Sequence, residues 1–372
     1  MSTVFVRKSP TDYNYQALKP VIFEIMDSAV GGAIQKNSRV VIKPNLLAPA
    51  TPDKAVVTHP LIVKAVVEYL LDKGAKPQIS DSPASGSMMK VLKNSGIINA
   101  LEGLNVEYKE FKTSIYFDIG KPFKKISIAE DALNADIFIN LPKLKTHTQM
   151  LLTLGVKNLF GCIVGLKKPE WHLRAGVDRE MFAGLLVKIQ KAVSPTITIL
   201  DGILAMEGQG PGKSGKPRKL GVVMGSKDTV AIDIVVCRML GIKPDNLLTN
   251  KIAGEEGFIK ADEIIINGHL PELRDFKFPE ITPIVFGPKR AHGFMRRHLV
   301  QRPVCDNSAC KMCGGCWNYC PARAIKPGGI KIRFDYEKCI RCYCCIEVCP
   351  HGALSAHETI TGKITRKLLK IK

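Results

Sequence analysis

The chain has 372 residues, room for two or three domains, and 45% of them are hydrophobic, an ordinary globular share. The formal net charge is +20, yet only 6% of residues are aromatic and no nucleic-acid reading motif occurs, which points away from nucleic acid as a partner. No apolar run is long enough for a membrane span (the longest, residues 151–166, is broken by Lys157 and Asn158), and the opening MSTVFVRKSP lacks the apolar stretch of a secretory signal, so a cytoplasmic, reducing compartment is expected.

Residues 40–43 read as a short apolar strand. Residues 61–73 follow with apolar side chains at 62, 63, 66, 67, 70 and 71, one face of a helix that Gly74 ends. Residues 76–80 are the next strand, and residues 136–140, 196–200 and 220–224 repeat the theme; residues 230–240 read as a helix ending at Gly241. This alternation implies an α/β fold with a largely parallel, buried sheet and flanking helices.

The strand ends run into Lys43-Pro44-Asn45, Ser80-Asp81-Ser82, Leu141-Pro142-Lys143-Leu144-Lys145-Thr146-His147 and Asp201-Gly202. Ligands of open α/β sheets bind beyond the carboxyl ends of the strands. Lys43, Asn45, Asp81, Ser82, Lys143, Lys145, His147 and Asp201 are therefore expected to converge, although each alone reads equally well as a turn or cap residue. Lys43, Asn45, Lys143 and Lys145 suit a small anionic substrate or an unidentified second cofactor, and Asp81 and His147 can move protons. Residues 210–215, GPGKSG, match G-x-G-x-x-G only on paper, because a strand and not a helix follows; Glu207 likewise breaks a P-loop. Residues 206–219 are expected to form a mobile loop over the site, with Lys213 as an anion contact.

VVIKPN, THP before a helix, SDSP, DIFINLPKLKTH, GVKNLFGCIVG, LDGILAMEGQGP and AID together resemble domain of unknown function family 362 over about residues 1–285. That resemblance implies a single site-bearing domain and iron–sulfur binding, since members often carry a ferredoxin segment. The order of features is also similar to the lactate racemase family, whose nickel pincer cofactor is tethered to a lysine. This second resemblance implies Lys157 as the tether, His172 as a nickel ligand and His147 as an acid/base. The chain departs from it at His59, where that family has Arg, and after Asp81, where Ser and Ala replace a second catalytic His.

Residues 286–304 form a basic linker with Lys289, Arg290, Arg296, Arg297 and Arg302 and no acid. Residues 305–358 then carry Cys310-x-x-Cys313-x-x-Cys316-x-x-x-Cys320-Pro321 and, in the same spacing, Cys339-x-x-Cys342-x-x-Cys345-x-x-x-Cys349-Pro350. Two such runs are a ligand set for two [4Fe–4S] clusters, and in two-cluster ferredoxins the fourth Cys of each run serves the other cluster. The expected sets are Cys310, Cys313, Cys316 and Cys349, and Cys339, Cys342, Cys345 and Cys320. Zinc sites use C-x-x-C pairs, and disulfide frameworks belong to small secreted domains. The segment resembles bacterial-type ferredoxins, which implies a small α+β ferredoxin-like domain. Cys305 and Cys344 are expected to be spare thiols, and Cys162 and Cys237 small buried hydrophobes. The basic tail, residues 359–372, reads either as a frayed terminus or as an amphipathic helix for an acidic partner or an anionic membrane surface.

The expected function is that of an iron–sulfur oxidoreductase, in which the ferredoxin module, served by a redox partner protein, relays electrons to a ligand at the strand ends. The alternatives are an isomerase or racemase with a tethered metal cofactor, and an electron carrier or cofactor-assembly partner.

Overall fold

A computed structural model describes residues 1–176, 178–212, 214–279 and 289–368. Among the described residues, twelve strands occur before residue 279: β1 (Ser2–Lys8), β2 (Arg39–Pro44), β3 (Lys76–Ile79), β4 (Glu107–Tyr108), β5 (Ser114–Asp118), β6 (Lys125–Ala129), β7 (Ile137–Leu141), β8 (Lys143–His147), β9 (Leu151–Thr153), β10 (Ile197–Gly208), β11 (Gly215–Ser226) and β12 (Ile264–Asn267). All but the β5–β6 hairpin join one sheet in the order β12-β1-β11-β10-β7-β2-β3-β4, with β8 on the far part of β10 and β9 on β8. The run β10-β7-β2-β3-β4 is parallel throughout. β11 is antiparallel to both β10 and β1.

The sheet is covered on both faces, and strand parity decides which core each side chain enters. Val40 and Ile42 of β2 and Ile137 and Ile139 of β7 pack with the Tyr15–Val30 and Pro60–Asp72 helices. Val41 and Phe138, one residue out of phase, pack with the Arg179–Val193 and Thr229–Met239 helices. Burial on both faces explains why these strands read as continuous apolar runs, and the largely parallel sheet with flanking helices matches the sequence expectation.

The expectation of a mobile loop at 206–219 is overturned. β10 and β11 are each 12 residues long, and their pairing continues out to Gly208 opposite Gly215. The outer half of β11 lies beyond the core, so its residues are polar and partly exposed while its backbone ladder is complete. Only the tip turns, and Lys213 lies outside the described residues. That tip is tied down: Gly210 N–H donates to Thr146 Oγ1 at 3.2 Å, and Ser214 Oγ donates to Leu354 O at 3.3 Å.

Within the basic stretch, Lys289–His298 is a helix and Arg302–Cys305 a strand paired antiparallel with Leu354–His357. A second hairpin joins Ile325–Gly328 to Lys331–Phe334, and two one-turn helices, Gly315–Asn318 and Cys344–Glu347, carry cysteines. Ile325, Ile332, Tyr343, Ile346 and Leu354 form this region's own small core. In the tail, Ile360–Leu368 is helical and the side chains of Ile360, Ile364 and Leu368 are exposed. Among the described residues no helix is long and apolar enough to cross a membrane.

Candidate functional site

β8 brings three titratable side chains onto one face, because Lys143, Lys145 and His147 alternate along a strand. All three are buried, yet they enter two different polar networks. Lys143 Nζ donates to Asp201 Oδ2 at 2.7 Å and to Tyr13 Oη at 2.8 Å. Tyr13 O–H donates to Asp201 Oδ1 at 2.8 Å, and the His59 N–H donates to Asp201 Oδ2 at 2.9 Å. The Tyr13 and His59 rings stack at 3.5 Å. Burial alone would raise the Asp201 carboxyl, but Lys143 and His59 bring it below its usual range, so it is held ionised. Burial lowers His59 to about 4, which keeps it neutral.

Lys145 belongs to the second network. Its Nζ donates to Asn45 Oδ1 at 2.8 Å and to Val56 O at 2.7 Å. Burial, with Lys157 nearby, lowers it to about 7, so it can carry or release a proton near neutrality. Asn45 continues through Asn158 to Asn140, each contact 2.8 Å. Asn158 and Lys157 sit on the one-turn helix Gly155–Asn158, whose first N–H groups donate to the Asp233 carboxylate at 2.8 and 3.1 Å. Thus the Asp of the AID segment fixes the turn that carries Lys157. Burial pushes Asp233 up to about 7, against the pull of those two N–H groups.

Lys43 Nζ lies 2.9 Å from Asp81 Oδ1, and Asp81 also accepts from the Leu46 and Ser82 N–H groups at 3.0 and 2.8 Å. Gly161 presses on this pair: a Cβ there would stand 2.3 Å from Asp81 Oδ1 and 2.5 Å from Lys43 Nζ. Lys168 Nζ donates to Ser82 O and Oγ at 2.7 and 2.8 Å, and burial lowers it to about 8.

His147 Nδ1 accepts from the Gln149 and Met150 N–H groups at 3.1 and 3.2 Å, which leaves Nε2 to carry the ring proton. Burial first and Lys157 second lower it to about 4, so the ring is neutral. Its Nε2 stands 2.9 Å from Glu347 Oε1, a residue of the cysteine-rich region. The contact is close but poorly aligned, and neither atom has a second hydrogen-bond partner among the described residues. Burial would raise Glu347, but His147 and Lys157 outweigh it and hold it ionised. His172 stacks on Phe182 at 4.3 Å, and burial lowers it to about 3.

These groups surround a cavity of about 70 Å3. Lys43, Asn45, Asp81, Lys145, His147, Lys157, Lys168 and His172 line it from the sheet side, and Tyr319, Cys344 and Glu347 from the cysteine-rich side. Four of the lining residues hold a buried polar atom with no hydrogen-bond partner: His147 Nε2, Thr153 Oγ1, His172 Nδ1 and Glu347 Oε1. Buried polar groups are usually satisfied, so such a concentration marks a place where a ligand or water completes the structure. The cavity gathers Lys43, Asn45, Asp81, Ser82, Lys145, His147, Lys157 and His172 from the sequence set; Lys143 and Asp201 lie in the other network and do not line it. Sequence reasoning missed Asn158, Lys168, Tyr319, Cys344 and Glu347. The last three come from a distant segment, and Cys344, expected to be a spare thiol, stands on the cavity wall.

A second, smaller cavity of about 20 Å3 is walled by Cys310, Cys313, Cys316 and Cys349, with Cys305 beside them and Met312, Trp317, Ile332 and Leu354 as apolar lining. In the other group, Cys339 and Cys342 bear electrostatically on both Cys320 and Cys345. The Ala324 N–H also donates to Cys320 Sγ at 3.3 Å. The smaller cavity thus gathers Cys349 of the second run with three cysteines of the first. Among the described residues no group of three or more His, Cys, Asp or Glu is arranged to hold a single metal ion. Four sulfurs spread around an apolar void fit a polynuclear group instead.

Residues 40–238 match the family described as Domain of unknown function (DUF362), and residues 332–355 match the 4Fe-4S binding domain. A thylakoid-associated protein of Synechocystis is 38% identical over 280 residues, covering 74% of this chain and 87% of that protein. Pyruvate synthase subunit PorD of Thermotoga maritima is 43% identical over 56 residues (15% of this chain, 57% of the subunit), and PorD of Methanocaldococcus jannaschii 39% over 57 residues (14% and 64%). The chain thus spans about 57% and 64% of the length of these two subunits. The solved lactate racemase apoprotein from Thermoanaerobacterium thermosaccharolyticum superposes with a TM-score of 0.39 at 11% identity, over 62% of this chain and 54% of that one. The C-terminal segment is an iron–sulfur electron-transfer module, and the chain as a whole belongs to the family described as Domain of unknown function (DUF362).

Proposed function

We propose that the protein is a redox enzyme that delivers electrons to a small anionic ligand in the cavity at the strand ends. The observation that carries this reading is the composition of the cavity wall. Lys145, His147 and Lys157 stand on one side, and Tyr319 and Cys344, the immediate neighbours of Cys320 and Cys345, stand on the other. Cys310, Cys313, Cys316 and Cys349 would hold one [4Fe–4S] cluster, and Cys339, Cys342, Cys345 and Cys320 a second. Bound there, the clusters supply single electrons.

The chain's own residues supply the rest. Lys157, half-buried, lends its charge to the ligand. Lys145, fixed by Asn45 and Val56 O and close to neutral pH in its titration, holds a transferable proton. His147 presents an N–H at Nε2, and the Lys43–Asp81 pair and its Gly161 support keep the floor rigid. Burial of Lys145 and His147 strengthens their electrostatic contacts.

The test is re-oxidation of the dithionite-reduced protein, in the absence of oxygen, by inorganic oxyanions and by small carboxylates that carry a reducible C=O or C=C bond, each taking up two electrons and two protons. Acceptor-dependent re-oxidation that is lost in Lys157→Met with iron content unchanged supports the reading; re-oxidation at equal rates in the variant contradicts it. Iron and acid-labile sulfide should each come to about eight per chain, since each cubane holds four of each.

A second reading, an isomerase with a cofactor tethered to Lys157, is favoured by one placement: Lys157, His147 and His172 line the same cavity. The residues do not fit it well. The cavity of about 70 Å3 is far below the roughly 300 Å3 at which cofactor-sized pockets begin. Intact-mass measurement of active protein decides, since an unmodified Lys157 contradicts the tether.

A further inference from the structure

We propose that the Glu347 carboxylate occupies the place of the ligand's own oxyanion, so that the site takes a small monocarboxylate or an inorganic oxyanion of similar size in competition with Glu347. This rests on the reading of the cavity as a ligand site.

The first observation is where the carboxylate sits. Glu347 reaches out of the Cys344–Glu347 turn of the cysteine module and ends 2.9 Å from His147 Nε2, within the field of Lys157. The second is how poorly it is held. His147 receives two backbone N–H bonds at Nδ1, so its ring is a neutral donor, not a charged partner. The Nε2 contact at 2.9 Å is short but poorly aligned, and among the described residues Oε1 has no other partner. A contact selected to fasten the two regions would align donor and acceptor, as Lys143 and Asp201 do at 2.7 Å. The third is charge. Four lysines and two carboxylates line the cavity, so the protein side chains facing it are richer in potential cations than in anions. Lys157 Nζ has no carboxylate within salt-bridge distance among the described residues; its one close aromatic neighbour is the Phe160 ring at 5.8 Å.

Size sets the class. A cavity needs roughly 10–15 Å3 to hold one water, so one of about 70 Å3 has room for an anion of formate or acetate dimensions. His147 Nε2, the Thr153 hydroxyl and Lys157 all line the cavity that an incoming carboxylate would enter.

The experiment is calorimetric titration of acetate into the full-length protein purified without oxygen, in wild type, Glu347→Gln and Glu347→Gln/Lys157→Met, each checked for unchanged iron. Removing a like charge from beside an anion in a buried site should tighten acetate binding by at least about tenfold in Glu347→Gln. Adding Lys157→Met should abolish the gain. Glu347→Asp keeps the charge but withdraws it by one methylene, so it should show a smaller gain, and it serves as the test should the amide variant lose iron. Binding in these variants that is no tighter than in wild type overturns the proposal. If acetate binding does not tighten while Lys157-dependent re-oxidation persists, the competition fails and the redox site survives; if both are absent, both fail.

Discussion

Two networks grow from the same strand two residues apart, and they could hardly differ more. Around Lys143, every polar group finds a partner: Asp201 accepts from Lys143, Tyr13 and the His59 N–H, and an aromatic stack closes the group off. Around Lys145 and His147, polar atoms converge on a cavity and several remain without partners. A buried polar cluster that is fully satisfied stabilises and specifies the fold, whereas one left unsatisfied costs stability until something else completes it. The contrast separates a structural lysine from a ligand-facing one on a strand where both look alike.

Removing Asp201 is the strongest way to break the comparison. Asp201→Ala leaves a buried Lys143 cation, the Tyr13 hydroxyl and the His59 N–H without their acceptor, and should cost about 3–5 kcal/mol. Lys145→Met should cost far less in stability, yet abolish acceptor-dependent re-oxidation of the clusters. Chemical denaturation followed by circular dichroism, alongside the re-oxidation assay, measures both; equal losses of stability would erase the distinction between the networks.

Next in size is Gly161→Ala. Its methyl group would intrude on both partners of the Lys43–Asp81 pair, and overpacking of this kind costs about 1–3 kcal/mol. The midpoint of denaturation should fall, and a midpoint equal to wild type would mean that the floor of the cavity is soft.

The fold's outline was largely legible. Apolar runs such as residues 40–43 and 136–140 are strands because they are buried on both sides, and the helix at residues 61–73 follows its 3.6 period. Most of the strand-end set also lies together, since Lys43 is near the end of β2, Asn45 and Asp81 lie just past β2 and β3, and Lys145 and His147 share one face of β8. The rest depends on tertiary placement. Tyr13 and His59 flank Asp201 only because the first helix and the Pro60–Asp72 helix pack side by side on one face of the sheet. Glu347 and Cys344 reach the cavity through docking of a region some 200 residues away in sequence from His147. The outer half of the β10–β11 hairpin misled because polar, glycine-rich residues can pair through their backbones while their side chains face water.

Acid should sharpen the picture on a smaller scale. His59 and His147 are lowered to about 4 and His172 to about 3, so the folded state resists protons that the unfolded chain takes up near the ordinary histidine value of about 6.5. Their contribution is neutral above that value, and stability falls as pH drops from about 6.5 towards 4. Denaturation midpoints measured between these limits should decline steadily, and His172→Leu should flatten the slope; a flat wild-type profile contradicts the buried, neutral histidines. The smallest expected effect lies at the tail, where removal of residues 359–372 should weaken binding of an acidic redox partner in a salt-dependent way while leaving re-oxidation by small acceptors unchanged.

The claim that the cavity and the second set of cysteines form one site is tested most directly by pulsed electron paramagnetic resonance on the reduced protein with carbon-13-labelled acetate. The account predicts a carbon-13 hyperfine coupling to a reduced cluster, present in Glu347→Gln at lower acetate than in wild type and absent from Lys157→Met, whose cluster signal is otherwise intact. A full cluster signal with no carbon-13 coupling at saturating acetate would contradict it.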